Sequence, residues 1–592
     1  MKNETPVLIV GGGGAGLTAS MLLSTLGVEH ILVSSLPSTS ILPKAHVLNQ
    51  RAMEILDDVG AAERIYAKST PAENMAYMGW YAGFLGPDPD YGRLIGKVES
   101  RGCGYTNLNW TQASPCRQAN LPQIRLEPIM KARAEELNPG AIRFHHELIA
   151  LDQDGDGVSA RIKNHDTGAE YAVRSRYLLG CDGGRTVPRL VGVGYEGLGV
   201  LSQTATAHVS ADLSKLARDP DVLIRWIWCP AIGALAVLVP MGPDHWGPDS
   251  EEWVFHVNYP GQGPKELTDE QVEKNMRVAL GLGDMPMTVH KITRWSVEGV
   301  IAKKFREGRV FLVGDTAHRH PPTGGLGLTS GIQDAQNLCW KVAAALKGQA
   351  DETLLDSYEP ERRPVDARNI QRSMENAMTH FQMGPAFGLK PDASAEANWA
   401  QFKRIWSGRP EDAEHRREAL RAIRRISMEA NELNVEYGYR YHSAAIIPDG
   451  SAEPHAIDDI RLYEPSTRPG SPLPHAWIDD ESGNRRALKD LVVPGRFLLI
   501  AGEDGQDWCA AAATLVAANN LPVDAVRIGH IDGDLFDTRL AWAQFRGITT
   551  AGAVLVRPDR VVCWRSAGAA ANAAATLAEA LGKILGHTLR TR

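Results

Sequence analysis

Apolar positions along this chain fall into short unbroken runs that stop at glycine and into longer stretches with helical spacing. Val7-Leu8-Ile9-Val10 is one such run, and it ends in Gly11-Gly12-Gly13-Gly14-Ala15-Gly16 before a helical pattern from Leu17 to Leu26. Val310 to Val313 is another; it stops at Gly314-Asp315, and a Gly/Pro-rich turn leads into a helical pattern beginning near Thr329. Each predicts a buried strand, a turn of close backbone approach and a helix start. A further strand is expected at His30 to Val33, ending in Ser34-Ser35, and Pro43 to Leu56 reads as an extended entry into an amphipathic helix. Residues 117 to 198 keep the alternation, with a helix over Leu126 to Leu137 and strands near Ile142 to Phe144 and Val158 to Ile162. The run Tyr177-Leu178-Leu179-Gly180 then closes on Cys181-Asp182-Gly183.

Between residues 200 and 300 the pattern turns to strands, at Val222 to Trp228, Ala234 to Val239 and Trp253 to Val257, separated by Pro/Gly turns with no long helix between them. A mostly antiparallel sheet inserted into an α/β domain is the simplest arrangement. Residues 76 to 115 lack periodicity and suit a long excursion covering a site. Residues 384 to 412 read as a linker. From residue 455 onward, strands at Arg496 to Ala501, Ala525 to Ile528 and Ala553 to Val556, with an Ala-rich helix after Ala567, form a separate α/β module.

The glycines carry the first chemical reading. Gly11 permits a tight turn, Gly13 lets a pyrophosphate reach the backbone, and Gly16 lets helix and strand pack closely. Ser34 stands where an acid commonly holds an adenosine ribose; its hydroxyl can still hydrogen-bond there, less strongly than a carboxylate. At the second turn, Asp315 can accept hydrogen bonds from a sugar-like hydroxyl, and Gly324-Gly325-Leu326-Gly327 before a helix N-terminus can approach a partly anionic ring. The two turns together suit the two halves of a flavin site.

With 592 residues, 43% of them hydrophobic, the chain is long enough for roughly two to four domains with well-buried cores. A net charge of −8 without a long basic block argues against a nucleic-acid partner. The Arg416, Arg417, Arg421, Arg424 and Arg425 stretch is interleaved with Glu414, Glu418 and Glu429 at helical spacing, as on a solvated helix face. Seven scattered cysteines show no CxxC and no metal-ligand spacing, and no metal is expected. No apolar run approaches the roughly 18 residues that span a membrane, and the first strand leaves no room for a signal peptide. A soluble cytoplasmic enzyme without a membrane partner is the expectation.

Three motifs stand in order: the glycine run at 11, Cys181-Asp182-Gly183-Gly184-Arg185-Thr186-Val187-Pro188-Arg189, and Gly314-Asp315 with its loop. In these the chain resembles the single-component FAD-dependent aromatic hydroxylases, and within them the phenol hydroxylase-like subgroup. The segments from Ala45, Leu121, Thr353, Glu436 and Arg468 extend the resemblance over essentially the whole chain. It implies a discontinuous Rossmann-like FAD-binding domain (1–75, 116–198 and 300–385) and a substrate-binding sheet and cover (76–115 and 199–299). Linker and helices (386–454) and a thioredoxin-like module without redox cysteines (455–592) would follow. It also implies tightly but non-covalently bound FAD, NAD(P)H as transient co-substrate, O2, a small aromatic substrate and a homodimer.

Carried over by the resemblance, Gly11, Gly13 and Gly16 hold the FAD pyrophosphate, Asp315 binds the ribityl chain, and Gly327, Leu328 and Thr329 present N–H groups to the flavin pyrimidine edge. Asp182 and Gly183 support both nucleotides, Arg117 and Gln123 line the flavin, and Pro322 and Gly325 belong to the same cofactor loop. Lys44 stands where relatives usually have Arg, keeping charge near the phosphates but losing bidentate geometry. Thr329 replaces the usual Asn and Pro188 the usual Val.

The activity implied is hydroxylation of an electron-rich ring, through a flavin C4a-hydroperoxide, ortho to the hydroxyl of a chlorophenol, hydroxybiphenyl or naphthol. Ring attack is faster on a phenolate, so a base is expected near the substrate oxygen, and His46 is the candidate. Trp226 and Trp228 share a face of their strand and suit either a pocket wall or sheet core, while Pro321 is expected beside the ring. His318 and His320 lack a third ligand at suitable spacing and read as loop packing or flavin-edge contact. Alternatives are a hydroxylase of carboxylated aromatics, a halogenase suggested by Trp226-Ile227-Trp228-Cys229-Pro230, and a Baeyer–Villiger oxygenase. A reductase with two dinucleotide domains would need a second glycine fingerprint, and a non-enzymatic binding protein would have no use for FAD.

Overall fold

The computed structural model describes residues 3–104, 107–258, 266–453 and 458–591. Five strands from distant parts of the chain run parallel side by side in the order Val310–Leu312, Glu170–Gly180, Glu4–Val10, His30–Ser34 and Ile142–Phe144. Val7 to Val10, Ile31 to Val33, Tyr177 to Leu179 and Val310 to Leu312 are buried apolar runs, as strands covered on both faces must be, while the outer strand Ile142–Phe144 is only partly buried. Parallel pairing has a direct consequence for function. Val10 pairs with Gly180, and Gly180 with Leu312, so the glycine run, the Cys181-Asp182-Gly183 turn and the Gly314-Asp315 turn leave the sheet together at one edge. Helices Gly14–Thr25 and Gly327–Leu346 start from two of those turns.

The expected inserted sheet is present, with eight strands. Tyr195–Ser210 and Thr288–Ala302 form its long central pair, joined by Glu252–Asn258, Ala234–Gly242, Val222–Cys229, Tyr77–Ala82 and Arg93–Glu99 on one side. The excursion at 76–115 therefore contributes two strands of this sheet, and its helix Leu108–Ala113 follows. Parts of the expected domains, at 105–106 and 259–265, lie outside the described residues. One face carries Ala205, Ala207, Leu238, Trp253, Phe255 and Ile227 and is covered by helix Asp269–Leu280, which sequence patterning passed over. That helix is closed by a Thr268/Gln271 capping box and by Gly281 in a left-handed conformation.

The linker expected at 384–412 is corrected by the structure. Helix Tyr358–Ala386 runs into this segment, and helix Ala395–Trp406 lies within it. Trp399, Phe402 and Ile405 recur at helical spacing and bury against Trp228, Met383 and Phe387. Helix Ala413–Ile426 bears the arginines on its outer face, where Arg417 and Arg421 pair with Glu414, while Ala419, Ala422, Ile423 and Ile426 face the core. Glu429 does not belong to that solvated face: it is buried.

The last module has a seven-stranded mixed sheet with helices Gln506–Asn519 and Ala573–Leu585, giving the expected thioredoxin-like arrangement. It is bound to the first domain by ions as well as apolar contacts. Arg557 forks onto Glu361, at 2.6 and 2.8 Å, and Lys341 reaches the same carboxylate at 2.7 Å. All three side chains have no exposed surface. Burial opposes the charge on Glu361, but Arg557 and Lys341 outweigh it and hold the carboxyl well below its usual range. Among the described residues no helix is long and apolar enough to cross a membrane. Removing one partner from a buried pair strands the other, so Glu361→Gln is expected to destabilise the fold by about 3–5 kcal/mol. Chemical denaturation monitored by tryptophan fluorescence measures this; a loss below about 1 kcal/mol, the value of an exposed pair, would show that the network does not hold the module.

Candidate active site

The three turns at the sheet edge are joined by one backbone contact and one side-chain bridge. Gly11 has φ +119°, and a Cβ on it would lie 2.1 Å from the Cys181 carbonyl oxygen; one on Gly16 would lie 2.0 Å from the Gly11 carbonyl oxygen. No other residue fits either position without moving backbone. Asp182 accepts hydrogen bonds from the N–H groups of Gly184, Thr186 and Val187, at 2.7–3.1 Å, and from the Thr316 hydroxyl at 3.2 Å. Gly183 N–H donates to the same hydroxyl at 3.0 Å. Asp182 thus ties its own turn to the residue after Asp315, whereas the Asp315 side chain is exposed.

Neither helix that leaves these turns is capped by its own N-cap residue: Gly13 and Leu326 supply no side-chain hydrogen bond, and neither first turn contains an acid. Gly14 N–H meets the carboxylate of Glu127 from a neighbouring helix, whose pKa burial raises. The remaining N–H groups and the positive dipole end make each start a site for anions. A Cβ on Gly14 would sit 2.6 Å from Leu328, so the two helix starts adjoin, and a Cβ on Gly327 would meet nothing within 4 Å. Ser34 is buried at the end of its strand, beside Gly12. Gly325 N–H closes onto the carbonyl of exposed Pro322, Pro321 is buried, and the Thr329 hydroxyl turns back to the Leu326 carbonyl at 2.9 Å, leaving only its backbone available. Two helix starts with free N–H groups, a carboxylate facing solvent and an open glycine surface fit the pyrophosphate, polyhydroxy chain and ring edge of FAD.

The Gly314 loop is held from below by buried charge. Asp334, on the helix that the loop enters, accepts from Gly314 N–H at 3.0 Å, His318 Nε2 at 2.8 Å and Arg362 Nε at 2.6 Å. Burial opposes the charge on His318, but Asp366 and Asp334 prevail and raise it to about 9. His318, Asp334 and Asp366 form the one group of metal-ligating spacing among the described residues, but Arg362 donates to both acids and stands there as the cation. His320 bonds to His318 at 2.9 Å, completing loop packing.

His46 is placed by a chain of local contacts. Gln123 accepts from Ala45 N–H at 3.0 Å and donates to Glu127 at 2.8 Å, pinning the loop in which exposed Lys44 takes a left-handed φ of +47°. Strands Val47–Leu48 and Ala119–Asn120 then pair, bringing His46 Nδ1 to Asn120 Oδ1. Asn120 in turn donates its amide to the Thr70 hydroxyl at 2.7 Å, and that hydroxyl donates to the Asn120 carbonyl. The Asn120 side-chain oxygen therefore faces His46, which must carry its proton on Nδ1 and present a free lone pair on Nε2. Burial, against the Asn120 bond, lowers the His46 pKa.

Gln118, Ala119 and Asn120 are all buried, and Gln118 donates to the Arg101 carbonyl at 2.5 Å. Arg117, expected beside the flavin, is exposed and lies over the Tyr66 ring at 4.5 Å.

The face of the inserted sheet opposite helix Asp269–Leu280 confronts these residues, and its Trp228 end is covered by helices Tyr358–Ala386 and Ala395–Trp406. Arg125 of the first domain reaches Glu252 at 2.8 Å, and Glu252 also bonds His208 at 2.6 Å. On the same face His256 bonds Thr206 at 2.7 Å, Trp295 Nε1 donates to that hydroxyl at 2.8 Å, and burial with neighbouring His46 pushes His256 down to about 3. Trp226 keeps partial exposure and stacks on His380, ring centroids 4.0 Å apart, whereas Trp228 is packed under Gly384 and Phe387. His380 bonds Glu429 at 2.7 Å, and the other oxygen of Glu429 accepts from Gly324 N–H at 2.9 Å. Asn120, Thr70, His256, His380 and Glu429 were not singled out in sequence. They are joined to the site only by tertiary contacts.

The comparisons agree with this geometry. Residues 4–373 match the FAD binding domain family, and residues 466–588 match the C-terminal domain of aromatic-ring hydroxylases. The chain is 34% identical to a 2,4-dichlorophenol 6-monooxygenase of Delftia acidovorans over 95% of both chains. It is also 34% identical to a tetracenomycin B2 monooxygenase-dioxygenase of Streptomyces olivaceus over 99% of both. The crystal structure of the flavin-dependent monooxygenase PieE with FAD and substrate superposes with a TM-score of 0.89 at 35% identity, covering 98% of this chain and 99% of that one. Over its whole length the chain belongs to the FAD-dependent aromatic-ring hydroxylases and is an FAD-dependent aromatic monooxygenase.

Proposed function

We propose that the enzyme hydroxylates a phenolic ring ortho to its hydroxyl group, with His46 as the base that takes the phenolic proton. The observation that carries this reading is the tautomer of His46. Thr70 orients Asn120, Asn120 holds the Nδ1 proton, and Nε2 is left as an acceptor on the side of the sheet face. A burial-lowered pKa keeps the ring neutral, hence able to accept a proton, at neutral pH. The Asn120 oxygen, accepting from Nδ1–H, also steadies the imidazolium formed after transfer. The chlorophenol relative supports a phenol as substrate. Arg225, the one cation of strand Val222–Cys229, donates to the carbonyls of Val222, Ala217 and Asp219, which leaves it engaged away from any substrate carboxylate.

The cofactor contacts follow the donor set. Gly11, Gly13 and Gly16, with the Gly14–Thr25 helix start, would hold the FAD pyrophosphate, with Lys44 at its margin and Ser34 toward the adenosine ribose. Asp315 would accept from the ribityl chain, and the N–H groups of Gly327, Leu328 and Thr329 would face the pyrimidine edge, where the helix dipole favours negative charge. Bound FAD supplies electron transfer from NAD(P)H and the activation of O2. Gln123 positions the loop of Lys44 and His46, and Asp182 and Thr316 hold two of the turns together.

His46→Ala is expected to lower kcat for product formation by about 10²- to 10⁴-fold, with FAD content unchanged. Asn120→Leu should lower it in the same direction, because Nδ1 loses its fixed partner. Since protonation removes the base and the pKa is lowered, the wild-type rate should fall on the acid side at a pH below the ordinary histidine range, and this limb should vanish in His46→Ala. Normal hydroxylation by His46→Ala would sink the assignment. A panel of phenols and hydroxybenzoates, scored by NAD(P)H oxidation coupled to product formation, tests the substrate class: product from carboxylated aromatics alone would overturn the phenol reading.

A further inference from the structure

We infer that the sheet face carries a second recognition point, for an acceptor oxygen at the end of the substrate remote from the reacting hydroxyl. This rests on the phenol hydroxylase reading and narrows it. Thr206 pairs with His256, His256 with Val237, Val237 with Trp226 and Trp226 with Trp80, so these side chains form one transverse row on the face turned toward His46. Two strand spacings separate His256 from Trp226 and three separate it from Trp80, about 10 and about 14 Å.

The two ends of the row differ in kind. Toward the His46 end, Thr206, His256, Trp295, His208 and Glu252 all have hydrogen-bond partners. At the other end, Trp226 Nε1, Trp80 Nε1 and His380 Nδ1 are buried and lack a hydrogen-bond partner among the described residues. His380 lies between the two indoles, 4.0 Å from one ring and 6.2 Å from the other. An indole N–H can only donate, and burying it unpaired is unfavourable until an acceptor reaches it. Unpaired indole N–H groups also occur in the packed cores, at Trp228, Trp340, Trp399 and Trp542. This cluster differs in that two indoles and an imidazole nitrogen lie unpaired together and in that the Trp226 ring keeps partial exposure. A ligand oxygen that enters beside Trp226 would satisfy its enclosed N–H. The fitting substrate is an elongated phenol with a ketone or hydroxyl oxygen at its far end. A plain or halogenated phenol occupies only the His46 end.

The experiment uses the FAD-loaded enzyme and four ligands: 4-chlorophenol, 4-hydroxybiphenyl, 4-acetyl-4′-hydroxybiphenyl and 4,4′-dihydroxybiphenyl. Binding is followed by the change in flavin absorbance, and turnover by product formation. One hydrogen bond to a fixed donor is expected to give the two far-oxygen biphenyls a Kd about tenfold lower than that of 4-hydroxybiphenyl. The arm that tightens tells ketone from hydroxyl. Trp226→Phe, checked for FAD content and circular dichroism, keeps the ring, removes the N–H and should erase that preference. Equal affinity across the biphenyls, or a preference that survives Trp226→Phe, would overturn the inference. Tighter binding of the far-oxygen ligands without hydroxylation of any of them would leave the subsite standing and defeat the phenol hydroxylase reading.

Discussion

The contact on which this structure depends is backbone against backbone, where Gly11 meets the Cys181 carbonyl and Gly16 meets Gly11. It requires parallel strands from residues 4, 170 and 310 to end in register, and it leaves no room for a side chain. From it follow the discontinuous layout of the first domain and the two helix starts with no cap of their own. A surface made of N–H groups can approach phosphate and ring edge more closely than any side chain would allow. The specificity of the site is therefore built elsewhere, on the loop at 43–48 and on the inserted sheet.

Helix Gly327–Leu346 transmits the demands of the cofactor loop to the rest of the molecule. It is buried along almost its whole length yet contains Asp334, Asn337 and Lys341. Each is met by charge from a neighbouring segment: Asp334 by Arg362 and His318, Lys341 and Asn337 by Glu361. Charges so enclosed are costly unless fully paired, so this helix tolerates few alternative positions. At its start, Glu429 and His380 connect Gly324 to Trp226, joining the cofactor loop to the wall of the sheet.

Local chemistry was the legible part of the sequence. Glycine turns between apolar strands and helices announce their own geometry, and the fold class and the cofactor loops were readable from them. What resisted reading was set by packing. The segment at 384–412 contains Gly, Pro and Ser and resembles a linker, but Trp399, Phe402 and Ile405 find a hydrophobic partner only once Trp228 and Phe387 are in place. Glu429 belongs by composition to a solvated arginine-rich face, and only tertiary structure turns it inward to an N–H that needs an acceptor. Arg117, named by resemblance, lies over the Tyr66 ring, and Asn120, three residues further on, meets His46. The tautomer of His46 depends on Thr70, 50 residues from Asn120 in sequence.

The fork of Arg557 onto Glu361 joins residues 196 positions apart. Domains generally fold as units while the chain is being synthesised, N-terminal ones first. Before residue 557 is made, the cofactor domain meets the charge of its buried Glu361 with Lys341 alone. The Arg557 guanidinium then completes the ion cluster from the last module, so the two domains share one buried charge balance.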